Sequence, residues 1–324
     1  MERKLSIVIP VFNEEESLPV LYQEVEKSIR ATIESGLISA YEILFISDGC
    51  TDGSVDAIKK LIAQDTNVHL IVFRKNFGKA AALQAGFRHS SGDIVITMDA
   101  DLQDDPKEIP RFIEKLDEGY DLVSGWKYNR LDPLEKRLPS KLFNKVTSTL
   151  SGVKLHDFNC GFKAYRKEVV KSIDVYGELH RYIPVLANRK GFRITEITVM
   201  HHKREFGKSK YGFERYLRGL FDSLTTAFLL KYYDRPMYFF GKIGLFLLCV
   251  GFLICGWLTV LWATGHIIGD RPLLLLGVLC IILGMQSVST GFIADMVVDS
   301  TYHNRYDESH IEYILSSTDN NKPQ

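Results

Sequence analysis

Two stretches late in the chain restrict its architecture more than any other feature. Gly244 to Trp262 is 19 residues without a charge, and Leu273 to Ala294 is 22. In hydrocarbon each backbone N–H and C=O must be satisfied within the protein, so such runs become helices. At about 1.5 Å per residue, each can cross an apolar layer of roughly 30 Å. Buried helices of a soluble protein share this composition, but two in tandem, with about ten residues between them, predict a transmembrane hairpin. Lys231, Arg235 and Lys242 precede the hairpin and His303 and Arg305 follow it, while the connection balances Arg271 with Asp270. The positive-inside rule then places both termini, and everything ahead of the hairpin, in the cytoplasm.

Ahead of the hairpin, apolar runs alternate with helical spacing. Leu5–Val11, Glu42–Ile46, Val68–Phe73 and Ile94–Met98 have the continuous apolar character of strands covered on both faces. Ser17–Ile33 puts Leu18, Leu21, Val25 and Ile29 on one helical face, and Val55–Ala63 and Ala80–His89 are further helices. Pro110–Glu118 and Arg181–Arg189 add two helices, Tyr120–Gly125 and Arg193–His201 two strands. This alternation predicts an α/β fold with a doubly wound, mostly parallel sheet. The carboxyl ends of its strands share one edge, where open α/β sheets bind ligands. There the runs end in Asn13 and Glu14, in Asp48, in Arg74, and in Asp99 and Asp101. Convergent polar ends are what a nucleotide cleft requires. GxGxxG does not follow the first strand and GxxxxGK[ST] is absent, so Rossmann-type NAD binding and P-loop chemistry are unsupported.

Asp99-Ala100-Asp101-Leu102-Gln103 is the most chemically pointed of these ends. Carboxylates and an amide oxygen are hard ligands suited to Mg2+ or Mn2+, which takes further ligands from substrate phosphates and water. A turn capping the helix begun at Pro106 would also place acids here, and Asp104 and Asp105 are read in that way. Lys127 to Lys145 is basic, either a solvated helix face or a site for a phosphate or lipid headgroup. Asp157 is a cleft carboxylate or a cap. His201 and His202 are adjacent on a strand, so they face opposite ways and do not share an ion. Phe213–Tyr233 reads as an amphipathic helix at a membrane surface, and Thr301–Gln324 as a polar, partly disordered tail. The 40 basic and 40 acidic side chains cancel, which excludes a globally basic nucleic-acid binder. Cys50, Cys160, Cys249, Cys255 and Cys280 are odd in number and scattered, as free thiols in a reducing compartment are. Met1 to Lys4 and the short run after it do not form a signal peptide.

Ile7 to Glu14 (Ile-Val-Ile-Pro-Val-Phe-Asn-Glu), Asp48-Gly49, Arg74 to Gly78, Gly92-Asp93 and Asp99 to Gln103 together resemble glycosyltransferase family 2, with its GT-A fold. Ser209-Lys210-Tyr211 and the hairpin are similar to its polyprenyl-phosphate members, the dolichyl-phosphate mannose synthase group and the bacterial undecaprenyl-phosphate sugar transferases. The resemblance covers roughly residues 4 to 300. It implies a catalytic domain over 1–212, amphipathic juxtamembrane helices over 213–240, the hairpin over 241–300 and a tail over 301–324. The implied reaction is inverting transfer from a nucleotide-diphosphate sugar to a polyprenyl phosphate at the cytoplasmic face, aided by Mg2+ or Mn2+.

Site roles carry over by the same resemblance. Pro10, Phe12, Glu14, Asp48, Arg74 and Ala100 would line the nucleotide. Asp99 would be shared between nucleotide and metal, with Asp101 and Gln103 as the other metal ligands. Asp101 and Asp157 are the catalytic candidates, Asp157 as a base or as a positioning group. Arg204 and Lys210 would meet the donor phosphates, and Lys127, Arg130, Arg137 and Ser140 the acceptor phosphate. Two departures stand out: Cys50 where the family often has serine, and Lys127 where arginine is common, a point charge replacing a bidentate fork. A processive polysaccharide synthase shares the domain but needs more membrane helices and a Gln-x-x-Arg-Trp motif, neither of which is present. A non-catalytic membrane adaptor is the alternative of another class. The sugar, the lipid length and self-association through the hairpin stay open.

Overall fold

The structure, a computed structural model, describes residues 3–128, 151–177, 179–202, 235–265, 272–302 and 311–315, with 144, 147–149 and 232 between them. The chain divides into two units, Met1–Tyr216 with Tyr306–Gln324, and Leu217–Arg305.

The first unit is built on an eight-stranded sheet, β1 (Lys4–Val11), β2 (Ala40–Ser47), β3 (Val68–Phe73), β4 (Ile94–Thr97), β5 (Leu122–Trp126), β6 (Lys163–Arg166), β7 (Ile194–Thr198) and β8 (Ile311–Leu315), in the order β7-β5-β6-β4-β1-β2-β3-β8. Pairings β1/β2, β1/β4, β2/β3 and β5/β7 are parallel. Strand β6 runs antiparallel between β4 and β5, so those two keep a common direction and their carboxyl ends stay on the edge shared with β1 to β3. Helices α1 (Leu18–Glu34), α2 (Ser54–Ile62), α3 (Lys79–His89), α4 (Ile109–Asp117), α5 (Lys167–Ser172) and α6 (Ile183–Arg189) cover the two faces. Strand residues alternate between two cores. Leu5, Ile7, Ile9 and Phe45 join Phe112 and Phe162 on one face, while Val8, Leu44 and Ile46 join Phe87 and Tyr165 on the other.

Two strands have no counterpart in the sequence expectation. Strand β6 is four residues, Lys-Ala-Tyr-Arg, too short and too charged at its ends to show an apolar period. Within the expected tail, Ile311–Leu315 forms β8, antiparallel to β3 with Leu70 opposite Leu315. That pairing satisfies the backbone groups on a sheet edge that β3 would otherwise leave open.

The amino edge of the sheet is pinned by Glu42. Its carboxylate accepts from Lys4 Nζ (2.7 Å), Ser6 Oγ (2.6 Å), and Ser91 N and Oγ (both 2.7 Å). Burial alone would raise its pKa, but these donors prevail and hold it down at about 2, below the usual 4.5.

The second unit is a helical hairpin of α7 (Met237–Ala263) and α8 (Pro272–Tyr302). Both helices are long and apolar enough to cross a membrane. The first starts inside the stretch expected to be interfacial; residues 213–231 of that stretch lie outside the described residues. The helices meet along glycines spaced one heptad apart, Gly244 and Gly251 against Gly277 and Gly284. A Cβ at Gly251 would lie 2.8 Å from the carbonyl oxygen of Gly277, and one at Gly284 would lie 2.9 Å from that of Gly244. Lipid offers no hydrophobic drive for helix association, so close packing of small residues supplies it. Asp295 on α8 accepts from Met237 N at 3.0 Å, capping the start of α7.

Gly251→Leu or Gly284→Leu should therefore overpack the seam and lower hairpin stability by at least the ~1–3 kcal/mol of an overpacked core. Gly256→Leu, whose Cβ meets nothing within 4 Å, should be neutral. Thermal unfolding in detergent compares the three. For Glu42 the folded pKa lies below the unfolded one, so its stabilisation is present above pH 4.5 and is lost as pH falls toward about 2. Glu42→Gln should remove ~3 kcal/mol at neutral pH and flatten that acid limb, as read by denaturant unfolding across pH.

Candidate active site at the carboxyl edge of the sheet

The ends of β1 and β2 are knitted together. Asn13 takes the left-handed backbone conformation (φ 57°), which asparagine tolerates. Its Oδ1 accepts from Thr51 N at 2.8 Å, and Glu14 N donates to Ser54 Oγ at 3.0 Å. Cys50 fits this turn: its Sγ accepts from Asn13 N and donates to Val11 O, both at 3.4 Å. Pro10 is half-buried and Phe12 is exposed at the same rim.

Asp48, at the end of β2, is buried and accepts from Phe77 N (2.7 Å) and Gly78 N (2.9 Å). Burial raises its pKa against the pull of those amides. Its carboxylate thus organises the β3–α3 loop, a duty the sequence did not suggest for a nucleotide-facing acid. Gly49 beside it (φ 68°) lies so close to that loop that a Cβ would stand 2.4 Å from Asn76 N. Arg74 is exposed.

The β4 end is the densest part of the edge. Asp99 pairs with Lys79, the first residue of α3. Gly161, ahead of β6, backs the same carboxylate, where a Cβ would lie 2.7 Å from both oxygens. Burial pushes the Asp99 pKa up, but Lys79, Lys127 and Lys163 outweigh it and bring it to about 2. Ala100 is buried, and its carbonyl accepts from Ser17 Oγ at 2.7 Å. Asp101 Oδ1 accepts from Gln103 N at 3.3 Å, across Leu102 in the left-handed region (φ 60°). A left-handed leucine is strained, and such strain concentrates at functional sites. Gln103 Nε2 donates to His202 O at 3.3 Å, and His202 N donates to Gln103 O at 2.9 Å.

Asp104 is not the helix-start residue expected of it. It is buried, bridges to His201 as in an antiparallel ladder, and pairs with Lys127 at 3.0 Å. The two side chains are 0% and 12% exposed, a locked pair. Burial alone would lower the Lys127 pKa; Asp104 and Asp99 raise it instead. Asp105 does cap the short turn Pro106–Glu108, accepting from Lys107 N at 3.0 Å, and its other oxygen meets His202 Nε2 at 3.3 Å.

Asp157 is buried and accepts from Asn159 N at 3.0 Å. Its loop is tied down by Lys163, fully within the core, whose ammonium donates to Phe158 O (3.3 Å) and to Cys160 O. Burial lowers the Lys163 pKa. Nearby, His156 stacks on Trp126 (4.0 Å between ring centroids) and pairs with Glu196. Arg130, Arg137, Ser140, Arg204 and Lys210 lie outside the described residues.

Among the described residues, no group of three or more His, Cys, Asp and Glu side chains is arranged to hold a metal ion. The hard oxygens of Asp101 and Gln103 still suit Mg2+, which is commonly held by one or two carboxylates and completed by substrate phosphates. Sequence reasoning missed Lys79, Lys163 and Gly161. Lysine after a loop glycine, or inside a four-residue strand, carries no periodic signal; their roles arise from the crossing of β4, α3 and β6.

Carboxylates and lysines converge at the carboxyl edge of an α/β sheet, the edge at which such sheets bind ligands. The sequence profile of glycosyl transferase family 2 matches residues 6–174, and the chain belongs to that family. It is 36% identical over 318 residues, 96% of this chain and 92% of the relative, to a dodecaprenyl-phosphate galacturonate synthase of Rhizobium johnstonii. It is 35% identical over 303 residues, 91% of this chain and 88% of the relative, to an undecaprenyl-phosphate 4-deoxy-4-formamido-L-arabinose transferase of Salmonella choleraesuis. The fold is similar to that of glucosyl-3-phosphoglycerate synthase from Mycobacterium tuberculosis, solved with Mn2+, UDP and phosphoglyceric acid. The TM-score is 0.52 at 21% identity, covering 70% of this chain and 78% of that one.

Lys127→Met should strand the Asp104 charge and destabilise the first unit by ~3–5 kcal/mol. Adding Asp104→Leu should recover most of that loss, as measured by chemical denaturation of the single and double variants.

Proposed function

We propose that the protein transfers a sugar from a nucleotide-diphosphate donor to a polyprenyl phosphate at the cytoplasmic face of a membrane. The observation that carries this is the likeness to polyprenyl-phosphate sugar transferases along 96% of the chain, hairpin included. Pairing of β8 with β3 supports the topology: chain after the hairpin rejoins the sheet formed before it, which requires an even number of crossings.

Pro10, Phe12, Glu14, Asp48 and Arg74 border the nucleotide at the β1 to β3 ends, with Ala100 and Asp99 beside the ribose and diphosphate. Mg2+ or Mn2+ bound by Asp101 and Gln103, with Asp99 at its flank, would neutralise charge on the departing nucleoside diphosphate. Arg204 and Lys210 meet the donor phosphates. Arg130, Arg137 and Ser140, with Lys127 adding field from its pair with Asp104, receive the acceptor phosphate. That phosphate is a ready nucleophile, since a phosphomonoester with a second pKa of about 6 is largely ionised at neutral pH. Attack from the face opposite the leaving group inverts the anomeric centre and needs no strong base. Asp157, buried and already accepting a backbone N–H, serves better as a positioning group than as a base.

Purified protein incubated with Mg2+ or Mn2+, undecaprenyl phosphate and a panel of radiolabelled nucleotide sugars should yield labelled lipid with at least one donor. Uronic acids and modified pentoses, as handled by the two relatives, come first in the panel. Absence of product with every donor would sink the transferase assignment. Asp101→Ala should abolish product, and full activity in that variant would refute its metal role.

A further inference from the structure

Two lysine–aspartate pairs lie at the β4 end, and they differ in kind. Lys127–Asp104 is shut away, at 12% and 0% exposure. Lys79–Asp99 is partly exposed, its side chains at 35% and 31%. The buried pair cannot part without stranding a charge; the partly exposed one can part into solvent or onto a ligand.

Placement of Lys79 is costly for its own helix. It is the first residue of α3, where the helix dipole favours an anion, and no side chain caps that end. Its backbone is fixed, because Asp48 holds the amides of Phe77 and Gly78 immediately before it. Asp99 is equally fixed, backed by Gly161 with no room for even a Cβ between them. Only the lysine arm is free to change partner.

We propose that Lys79 is an exchangeable counter-ion: it neutralises Asp99 in the free protein and passes to the diphosphate of the donor when metal and donor enter together. The inference rests on the donor-binding role proposed above. While Lys79 covers Asp99, a divalent cation alone meets little net negative charge from this pair. A metal–diphosphate complex brings anionic oxygens that draw Lys79 away, freeing Asp99 toward the metal. The same move places an ammonium beside the N-terminal amides of α3, which favour phosphate. Metal and diphosphate thereby bind synergistically, and the synergy is set by one side chain.

The test titrates Mn2+ by electron paramagnetic resonance into the purified full chain, with and without inorganic pyrophosphate in place of the donor diphosphate. Lys79→Gln should bind Mn2+ alone about tenfold more tightly, and the gain from pyrophosphate should shrink about tenfold. Lys79→Arg should behave like the parent protein. Asp99→Asn, which frees Lys79 from the other side, should tighten metal-free pyrophosphate binding about tenfold by calorimetry. A pair with a merely structural role would move none of these affinities, and unchanged values in both Lys79→Gln and Asp99→Asn overturn the proposal. Failure of the parent protein to bind Mn2+ even with pyrophosphate would overturn the metal-dependent donor site itself, a result distinct from unchanged variants of a binding-competent parent.

Discussion

Charge compensation at the carboxyl edge of the sheet is the constraint on which this structure turns. Strand direction brings Asp48, Asp99, Asp101 and Asp104 to one rim, and like charges so gathered would expel one another unless answered. Each is answered differently: Asp48 by two loop amides, Asp99 by Lys79, Asp101 by the amide of Gln103, Asp104 by buried Lys127. The depth of each partnership sets its use. Amide-held and buried groups fix loops, while the partly exposed pair keeps its charge exchangeable.

The opposite edge obeys other rules. Glu42 is saturated by Lys4, Ser6 and Ser91, which spends its charge on holding β1, β2 and the approach to β4 in register. The carboxyl rim, by contrast, carries strain at left-handed Leu102. The hairpin solves a third problem. Its helices cannot rely on water to drive them together, so glycine seams bring backbones into contact and Asp295 closes the first turn of α7.

Much of this was legible in the chain. The parallel strands announced themselves because burial on both faces demands continuous apolar residues, and the membrane helices because hydrocarbon demands long uncharged ones. Asp48, Asp99 and Asp101 stood out because polar residues directly follow those runs. Strands β6 and β8 did not, being short, charged or set in a polar stretch, and Asp104 reads with Asp105 as a helix-start residue because both lie just ahead of Pro106. Asp104 and Asp105 are chemically identical in sequence; only the approach of β5 with Lys127 separates an ion-pair partner from a helix cap.

By itself, the sequence determined the main helices and parallel strands, the common edge of the strand ends, the hairpin and the acids available for chemistry. These follow from local periodicity and composition, which the backbone geometry of helices and strands translates directly. Tertiary structure alone decided which acid each cation answers. Lys79 and Asp99, Lys127 and Asp104, Lys163 and the loop after Asp157 are brought together by strand order and by an antiparallel β6 between two parallel neighbours. Coulomb energy depends on separation and burial in space, neither of which is encoded in spacing along the chain.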